Sequence, residues 1–462
     1  MSTRPAELLE PQVLVVGGGL AGFSAALEAA QAGAEVLLIE KLDQTGGSSA
    51  MSGGCLAFAG TDLQRAAGIE DSDQLLFDDL REVGQFDNDE KLVRAYVDNQ
   101  LDTFEWMRRH DVPFSEVIEA SSGQSVPRVH TVDPADAVRR LATAARATGK
   151  ITVRTGVAAN RLVVEDGRVL GVLASEGAHE IEVRPRAPMI LACGGFSRNL
   201  DLVHRFAPQY DAAFFIGGDG NVGDGLRMGW SVGADLRDMA YIKGTYGKHP
   251  IDTTNNHSCL AVYKGAIAVN QDGRRFMDES MSYKLLGDAC MRQVDGSTYQ
   301  IFDRPIFDGG DDRVRILDFG RRLEEGLMIE ADSLESLARK IEVSYLTLRE
   351  TVDRYNAMVD AGQDQDFDRK ALVHNHGSLV RIETAPFYAY PSTAAVFGTY
   401  CGLRVDDSMR VIDVYDRVID GLLAAGEVVG GFHGGAYMTG SALGKAAIFG
   451  RIAARTATAQ WR

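Results

Sequence analysis

The chain has 462 residues and a formal net charge of −17, with 45% apolar and 24% charged residues. This is an ordinary globular balance, in a chain long enough to form two or three domains. The negative charge argues against nucleic acid and acidic membrane surfaces as partners, and no apolar run reaches the roughly 18 residues that a membrane span needs.

The N-terminal stretch MSTRPAELLEPQ lacks the apolar core of a secretion signal and runs directly into a predicted strand. The five cysteines are widely spaced, without a paired metal or haem pattern: Cys55, Cys193, Cys259, Cys290 and Cys401. Together these features favour a cytoplasmic protein whose cysteines are reduced core residues.

A strand, a helix and a second strand are predicted at the start of the chain. The apolar runs Val13–Val16 and Val36–Ile39 are typical of buried strands, and residues 23–31 between them are good helix formers. Between the first strand and the helix, Gly17, Gly19 and Gly22 have the G-x-G-x-x-G spacing. This strand-turn-helix context predicts a dinucleotide-binding turn.

The chemistry of this turn is specific. Glycines allow the backbone to approach a diphosphate, which then lies at the helix N-terminus. Glu40 follows Gly22 by 18 residues, where a carboxylate can bind the ribose hydroxyls. The motif predicts an adenine dinucleotide and leaves NAD and FAD open.

Further glycine-rich segments favour FAD. The loop QTGGSSAMSGG (44–54) follows the ribose acid and can wrap a long dinucleotide with its backbone N–H groups. Similar segments are ILACGGFSRN (190–199), GGDGNVGDGLRMGWSVGA (217–234) and GLLAAGEVVGG (421–431). Because these segments come from both ends of the chain, the middle of the chain is predicted to be an insertion.

The elements predicted between these segments are a β-rich stretch and two amphipathic helices. Residues 153–183 are expected to form strands with a hairpin turn at Asp166-Gly167. Later, DSLESLARKI and SYLTLRETVDRYNAMVDAG are expected to be helices, the second of them with Ser344 as its N-cap.

These motifs, in this order, resemble the fumarate reductase/succinate dehydrogenase flavoprotein superfamily. The resemblance includes TGGSS, DGRRFMDES and the ending AAGEVVGGFHG…GSALGKAAIFGR. It implies an α/β fold with a Rossmann-like, glutathione-reductase-type FAD-binding domain in two segments (1–243 and 395–462). It also implies an inserted α+β capping domain (244–394), non-covalent FAD and a substrate held between the domains.

The resemblance and the glycine-rich segments together predict the residues that contact FAD. Glu427 resembles the glutamate that holds the ribityl chain, and the N-terminus of the last helix would face the isoalloxazine. The full set of candidates is Gly17, Gly19, Leu20, Ala21, Gly22, Glu40, Lys41, Gly46, Gly47, Ser48, Ser49, Gly53, Gly54, Val157, Ala192, Gly194, Gly195, Asn199, Gly223, Asp224, Gly426, Glu427, His433, Ser441, Ala442 and Leu443.

The sequence departs from the dicarboxylate-binding members at three positions. Tyr437, in GGAYMTGSA, stands where fumarate reductases have a carboxylate-binding arginine. Tyr283, after the G-R-R-F-x-x-E element 273–279, stands where they have the proton-donating arginine. At the hinge, Phe397 and Gly398 replace a histidine. Since two buried carboxylates need fixed cations, these changes favour a neutral ketone as the substrate.

The 3-ketosteroid dehydrogenases of the superfamily have a similar tyrosine pattern. Their Tyr-x-Ser/Thr-Gly loop resembles the segment 437–440, and their Gly-Thr-x-Gly-Gly hinge resembles 398–402, where Cys401 replaces one glycine. We therefore expect a hydride to move between flavin N5 and the carbon β to the carbonyl of a ketone. The expected catalytic residues are Tyr283, Tyr437 and Thr439.

Two other functions remain open. One is a fumarate reductase-like enzyme that binds a small organic acid through other arginines, such as Arg404 or Arg381. The other is a flavin-bearing electron-transfer subunit of a larger complex. The substrate, the direction of the reaction, the electron donor or acceptor and the oligomeric state do not follow from the sequence.

Overall fold

The computed structural model of the chain describes residues 7–211, 213–251 and 257–459. The first strands are β1 (Glu7–Leu9), β2 (Val13–Val16), β3 (Val36–Ile39), β4 (Cys55–Ala57), β5 (Ile118–Glu119), β6 (Val129–Thr131), β7 (Ile151–Arg154), β8 (Val157–Glu165), β9 (Arg168–Glu176), β10 (His179–Val183) and β11 (Met189–Leu191). The later strands are β12 (Phe214–Phe215), β13 (Leu236–Arg237), β14 (Ile242–Lys248), β15 (Ile267–Asn270), β16 (Thr298–Asp303), β17 (Ile329–Ala331), β18 (Phe387–Thr399), β19 (Gly402–Leu403), β20 (Arg410–Ile412) and β21 (Val418–Ala424).

The helices lie between these strands and after the last of them. They are α1 (Leu20–Gln31), α2 (Gly47–Met51), α3 (Asp62–Ala66), α4 (Asp73–Val83), α5 (Glu90–Arg109), α6 (Pro134–Ala147), α7 (Leu200–Phe206), α8 (Asp224–Ser231), α9 (Tyr283–Met291), α10 (Arg304–Asp308), α11 (Phe319–Glu324), α12 (Leu334–Lys340), α13 (Tyr345–Ala361) and α14 (Ser441–Ala459). No helix in the described part of the chain is both long enough and apolar enough to span a membrane.

Both ends of the chain build the central sheet. Its strand order is β20-β21-β11-β2-β3-β7, with all pairs parallel except the antiparallel edge pair β20-β21. The four residues of β2 and of β3 are all buried, as their continuous apolar runs predict for the middle of a parallel sheet. Helices α1 and α14 pack against each other beside this sheet.

A second six-stranded sheet contains the long strand β18. It has the order β12-β18-β16-β15, and β14 and β17 also pair with β18. The buried apolar residues form two clusters, one built from 13–242 with 394–457 and the other from 246–390 with Tyr400 and Tyr437. The domain boundaries at 243/244 and 394/395 remain a prediction that these clusters support.

The predicted local elements are found with small differences. The strands β2 and β3 have the expected ends, whereas α1 begins at Leu20, three residues before the predicted start, because the last glycine of the motif is already helical. Asp166 and Gly167 both have positive φ, 51° and 78°, and join β8 to β9 in the predicted hairpin. Ser344 caps α13 by accepting a hydrogen bond from the N–H of Thr347.

Candidate active site

A cavity of about 890 Å³ lies against the ends of the central sheet and the second apolar cluster. This volume is near the upper end of the about 300–1,000 Å³ usual for ligand sites. Residues of the β2–α1 turn line one part of it, and the predicted catalytic tyrosines line another. The cavity therefore brings the predicted cofactor loops and the predicted catalytic residues to one site.

Most of the residues predicted from the sequence line this cavity. They are Gly17, Gly19, Leu20, Ala21, Glu40, Lys41, Gly47, Ser48, Ser49, Gly53, Val157, Ala192, Gly194, Asp224, Glu427, His433, Ala442, Leu443, Tyr283, Tyr437 and Thr439. Eight predicted cofactor contacts do not line it: Gly22, Gly46, Gly54, Gly195, Asn199, Gly223, Gly426 and Ser441. Asn199, for example, caps α7 by accepting a hydrogen bond from the N–H of Leu202.

The β2–α1 turn is shaped to accept a diphosphate. Gly17 has φ +114°, and a Cβ atom there would lie 2.4 Å from the carbonyl oxygen of Ala192. Gly19 is the N-cap of α1 without a side-chain cap, so the cavity is bordered by backbone N–H groups at the positive end of a 12-residue helix. The arrangement fits the diphosphate of a dinucleotide.

Gly22→Ala is expected to abolish cofactor retention. A Cβ atom at position 22 would lie 1.8 Å from the carbonyl oxygen of Gly17, so the turn must open. The flavin content after purification measures this effect, and Gly320→Ala is the matched control because a Cβ there meets no atom within 4 Å. Full flavin content in Gly22→Ala would show that the turn tolerates the change.

Glu40 is held at the edge of the cavity by two backbone donors. Its Oε2 atom accepts from the N–H of Gly18 at 2.7 Å, and its Oε1 atom accepts from the N–H of Leu42 at 2.9 Å. Each carboxylate oxygen can accept a further bond, which suits a ribose hydroxyl. Lys41 forms an ion pair with Asp224 at 2.7 Å, so these two predicted contacts join the loops of β3 and α8 to each other.

Glu427 is the acceptor of a dense set of hydrogen bonds. The side-chain amide of Asn221 donates to Oε1 at 3.0 Å and to Oε2 at 2.9 Å. The N–H of Thr399 donates to Oε1 at 2.8 Å. Donors from two distant segments therefore fix the carboxylate at the cavity wall, which suits the predicted contact to a polar chain of the cofactor.

Three tyrosines and a histidine form an aromatic cluster at the cavity wall. The rings of Tyr283 and Tyr437 lie 5.6 Å apart, and the ring of Tyr400 stacks on Tyr437 with centroids 4.7 Å apart. The His433 ring lies 4.3 Å from that of Tyr400. All four line the cavity and all four are buried. Tyr400 was not predicted, although it belongs to the hinge segment VFGTYCGLRV.

Thr439 connects Tyr283 to a buried serine. Its Oγ1 atom donates to the hydroxyl of Tyr283 at 2.9 Å and lies 3.0 Å from the Oγ atom of Ser121. The side-chain amide of Gln124 fixes the threonine by donating to its carbonyl oxygen at 3.0 Å. Because every group in this row can donate and accept, it is suited to passing a proton.

The tyrosine hydroxyls keep their protons. Burial, followed by the charge of Tyr437, raises the pKa of Tyr283 well above its usual range. Burial also raises the pKa of Tyr437, although the N–H groups of Gly440 and Ala442 and the hydroxyl of Tyr400 oppose the shift. The protonated hydroxyls can therefore donate hydrogen bonds to a substrate oxygen.

Lys445 is a buried cation beside the cavity that the sequence analysis did not single out. Its Nζ atom donates to the carbonyl oxygen of Val429 at 3.0 Å. Burial lowers the pKa of Lys445 from 10.5 to about 8, against the opposing charges of Glu427 and Asp238. Its ammonium group is therefore costly to keep charged in the folded protein.

The stability of the apoprotein is expected to depend on pH through Lys445. Between pH 8 and 10.5 the unfolded chain binds a proton that the folded chain does not. The free energy of unfolding of the wild type, relative to Lys445→Met, should therefore rise across this interval, by at most about 1.4 kcal/mol per pH unit. Urea unfolding of both proteins at several pH values measures it, and a constant difference would mean that the ammonium group is not desolvated.

Two features of the sequence interpretation need correction. Cys55 and Cys193 line the cavity and are only partly buried, so they are wall residues as well as packing residues. Arg404 pairs with Asp235 and Asp416, and neither it nor Arg381 lines the cavity. These two arginines therefore cannot hold a small acid at this site.

The sequence analysis also missed five other residues of the site: Ser121, Gln124, Asn221, Thr399 and Arg315. Asn221 and Thr399 lie in segments that were identified, the glycine loop 217–234 and the hinge 398–402, but these two residues were not singled out there. Ser121 and Gln124 belong to EASSGQSVP, where only the serine and glycine content gave a signal.

The FAD binding domain family matches residues 12–443 of the chain. The chain belongs to this family. Fumarate reductase (cytochrome) of Shewanella frigidimarina is 33% identical to it over 457 residues, covering 96% of this chain and 76% of that protein. The 3-oxosteroid 1-dehydrogenase of Mycobacterium tuberculosis is 28% identical over 562 residues, covering 96% of this chain and 98% of that protein.

The same FAD-binding fold is present in a solved structure of a related enzyme. The 3-ketosteroid-delta4-(5alpha)-dehydrogenase from Rhodococcus jostii RHA1 aligns with a TM-score of 0.79 at 23% identity, covering 99% of this chain and 98% of that chain. The predicted family, the α/β FAD-binding fold, the FAD cofactor and the class of FAD-dependent oxidoreductases acting on CH–CH groups are confirmed. The roles of individual residues remain predictions.

Proposed function

We propose that this family member interconverts a neutral, cyclic or steroid-like ketone and its α,β-unsaturated form. The observation that carries the proposal is the convergence of Tyr283, Tyr437 and Thr439 on one buried cavity wall. The hinge residues Phe397 and Gly398 line the same cavity. The three positions at which the sequence departs from the dicarboxylate enzymes therefore lie together, and none of them supplies a cation.

In this proposal FAD, when bound, supplies the hydride chemistry, and the chain positions the ketone. Tyr437 hydrogen-bonds the carbonyl oxygen of the substrate. The N–H of Gly440, 3.3 Å away, donates to the tyrosine oxygen. Accepting this bond makes the Tyr437 hydroxyl a stronger donor toward a carbonyl.

Tyr283 transfers the proton at the carbon next to the carbonyl. Its hydroxyl accepts from Thr439, so its own proton is not committed to that bond. After the proton leaves, Thr439 and Ser121 can return one along their row of hydroxyls. Burial keeps Tyr283 protonated at neutral pH, so in this proposal it is the proton donor when the carbon–carbon double bond is reduced.

The experiment follows the flavin absorbance of the purified protein without oxygen, against saturated 3-ketosteroids and cyclic ketones in one panel and succinate-type diacids in the other. Bleaching by a ketone supports the proposal. Bleaching by a diacid alone supports a fumarate reductase-like function. This is the second candidate because the chain is 33% identical to a fumarate reductase. Bleaching by neither panel would require the unsaturated compounds to be tested against reduced enzyme.

A further inference from the structure

Arg315 differs from the other arginines of the cavity. It is half-buried, it lines the cavity, and in the described part of the chain no carboxylate lies within the 4 Å of an ion pair. Its Nη2 atom lies 3.5 Å from the carbonyl oxygen of Ser52, which is a weak contact for a guanidinium. By contrast, three other cations of the wall each form an ion pair with an aspartate: Lys41 with Asp224, Arg198 with Asp219 and Arg313 with Asp311.

The backbone of Arg315 is held firmly. The buried guanidinium of Arg322 donates to its carbonyl oxygen at 3.2 Å, and the N–H of Leu260 donates to the next carbonyl, that of Ile316, at 3.0 Å. Arg322 is itself 1% exposed and paired with Glu325. The segment that carries Arg315 is therefore a fixed part of the wall.

The guanidinium lies toward the tyrosine part of the cavity. Its Nη2 atom approaches the carbonyl oxygen of Ser52, three residues before Cys55, which also lines the cavity. The strand that begins at Cys55 runs beside the loop that carries Tyr437, since a Cβ atom at Gly440 would lie 2.6 Å from the backbone nitrogen of Ala57. The loop of Ser52 and this strand therefore connect Arg315 to the part of the wall that is proposed to bind the ketone.

We propose that Arg315 binds a carboxylate carried by the substrate at a distance from its carbonyl group. A partly desolvated cation without a counter-ion is costly, and a carboxylate supplies both the charge and a bidentate acceptor. This inference rests on the proposed function, because the tyrosines hold the carbonyl while Arg315 holds the other end. The ketone end of the substrate stays uncharged, as in the proposed function, and the inference adds one carboxylate at the other end of the molecule, in contrast to the two of a dicarboxylate.

The test compares two reducible compounds, 4-oxocyclohex-2-ene-1-carboxylate and its neutral methyl ester, with the holoenzyme. The wild type should have the lower KM for the acid. Arg315→Gln should raise the KM for the acid roughly 10- to 100-fold and leave that for the ester unchanged. The KM of Arg315→Lys for the acid should lie between those of the wild type and of Arg315→Gln. Arg313→Gln is the matched control, since its side chain is 61% exposed and already paired with Asp311.

Three results would overturn the proposal. They are equal use of acid and ester by the wild type, an equal loss for both compounds in Arg315→Gln, and a weaker affinity for FAD in that variant, which would assign the guanidinium to the cofactor. If the wild type turns over neither compound, the proposed function fails separately. In that case the binding of the saturated acid is measured through changes in the flavin absorption spectrum. Weaker binding in Arg315→Gln but not in Arg313→Gln supports the site, and equal binding by the wild type and Arg315→Gln excludes it.

Discussion

Tyr437→Phe and Tyr283→Phe are each expected to lower turnover roughly 100- to 10,000-fold while FAD stays bound. Removing the hydroxyl of Tyr437 takes away the proposed donor to the carbonyl, and removing that of Tyr283 breaks its 2.9 Å bond to Thr439 and the route of the proton. Both rings remain in the aromatic cluster, so the packing of the wall is kept. Stopped-flow flavin oxidation or reduction measures the change.

Tyr263→Phe is the matched control for these variants. Its ring is buried 6.3 Å from that of Tyr283, but its hydroxyl donates to the carbonyl oxygen of Met281 and does not line the cavity. It should keep close to full activity. If Tyr263→Phe and Tyr283→Phe lose activity equally, the tyrosines act through packing, and the proposed chemistry is wrong.

Glu427→Gln should weaken FAD binding roughly 10- to 100-fold, the loss expected for hydrogen bonds to a charged group. Both carboxylate oxygens of Glu427 accept from Asn221, and one also accepts from Thr399. A glutamine would place its NH₂ group, which cannot accept, opposite one of these donors. Fluorescence titration of the apoprotein with FAD measures the affinity.

Asp420→Asn is the control for this change. Asp420 is exposed on β21, the strand that leads to Glu427, and the same change of charge there leaves the cavity intact. Thermal unfolding of both apoproteins separates a lost contact from a lost fold. An unchanged FAD affinity in Glu427→Gln would assign the carboxylate to the support of the wall alone.

The cofactor half of the site could be predicted from the sequence because its chemistry depends on local spacing. Gly17 and Gly22 have to be glycine since neighbouring carbonyl oxygens lie 2.4 Å and 1.8 Å from where a Cβ would be. Such a requirement is visible in the six consecutive letters of the G-x-G-x-x-G motif. The strand β2, the turn and Glu40 follow one another in the chain, so their pattern is readable without the fold.

The substrate half depends on contacts between distant segments, which no short pattern encodes. Thr439 lies 318 residues from Ser121 and 156 residues from Tyr283 in sequence. Arg315 lies in a loop without a motif, and only the folded chain brings it to the cavity. The predicted helix start at position 23 was late for a simpler reason, since glycine 22 has low helix propensity but is needed by the turn.

The most direct test of the tyrosine site is the reoxidation of photoreduced enzyme, without oxygen, by an unsaturated cyclic ketone and by fumarate at equal concentrations. We expect fast single-turnover reoxidation by the ketone, and reoxidation by fumarate at least about 100-fold slower, because no pair of cations replaces the missing arginines. Faster reoxidation by fumarate would contradict this expectation and would identify the tyrosine cluster as scaffolding in an acid-reducing enzyme.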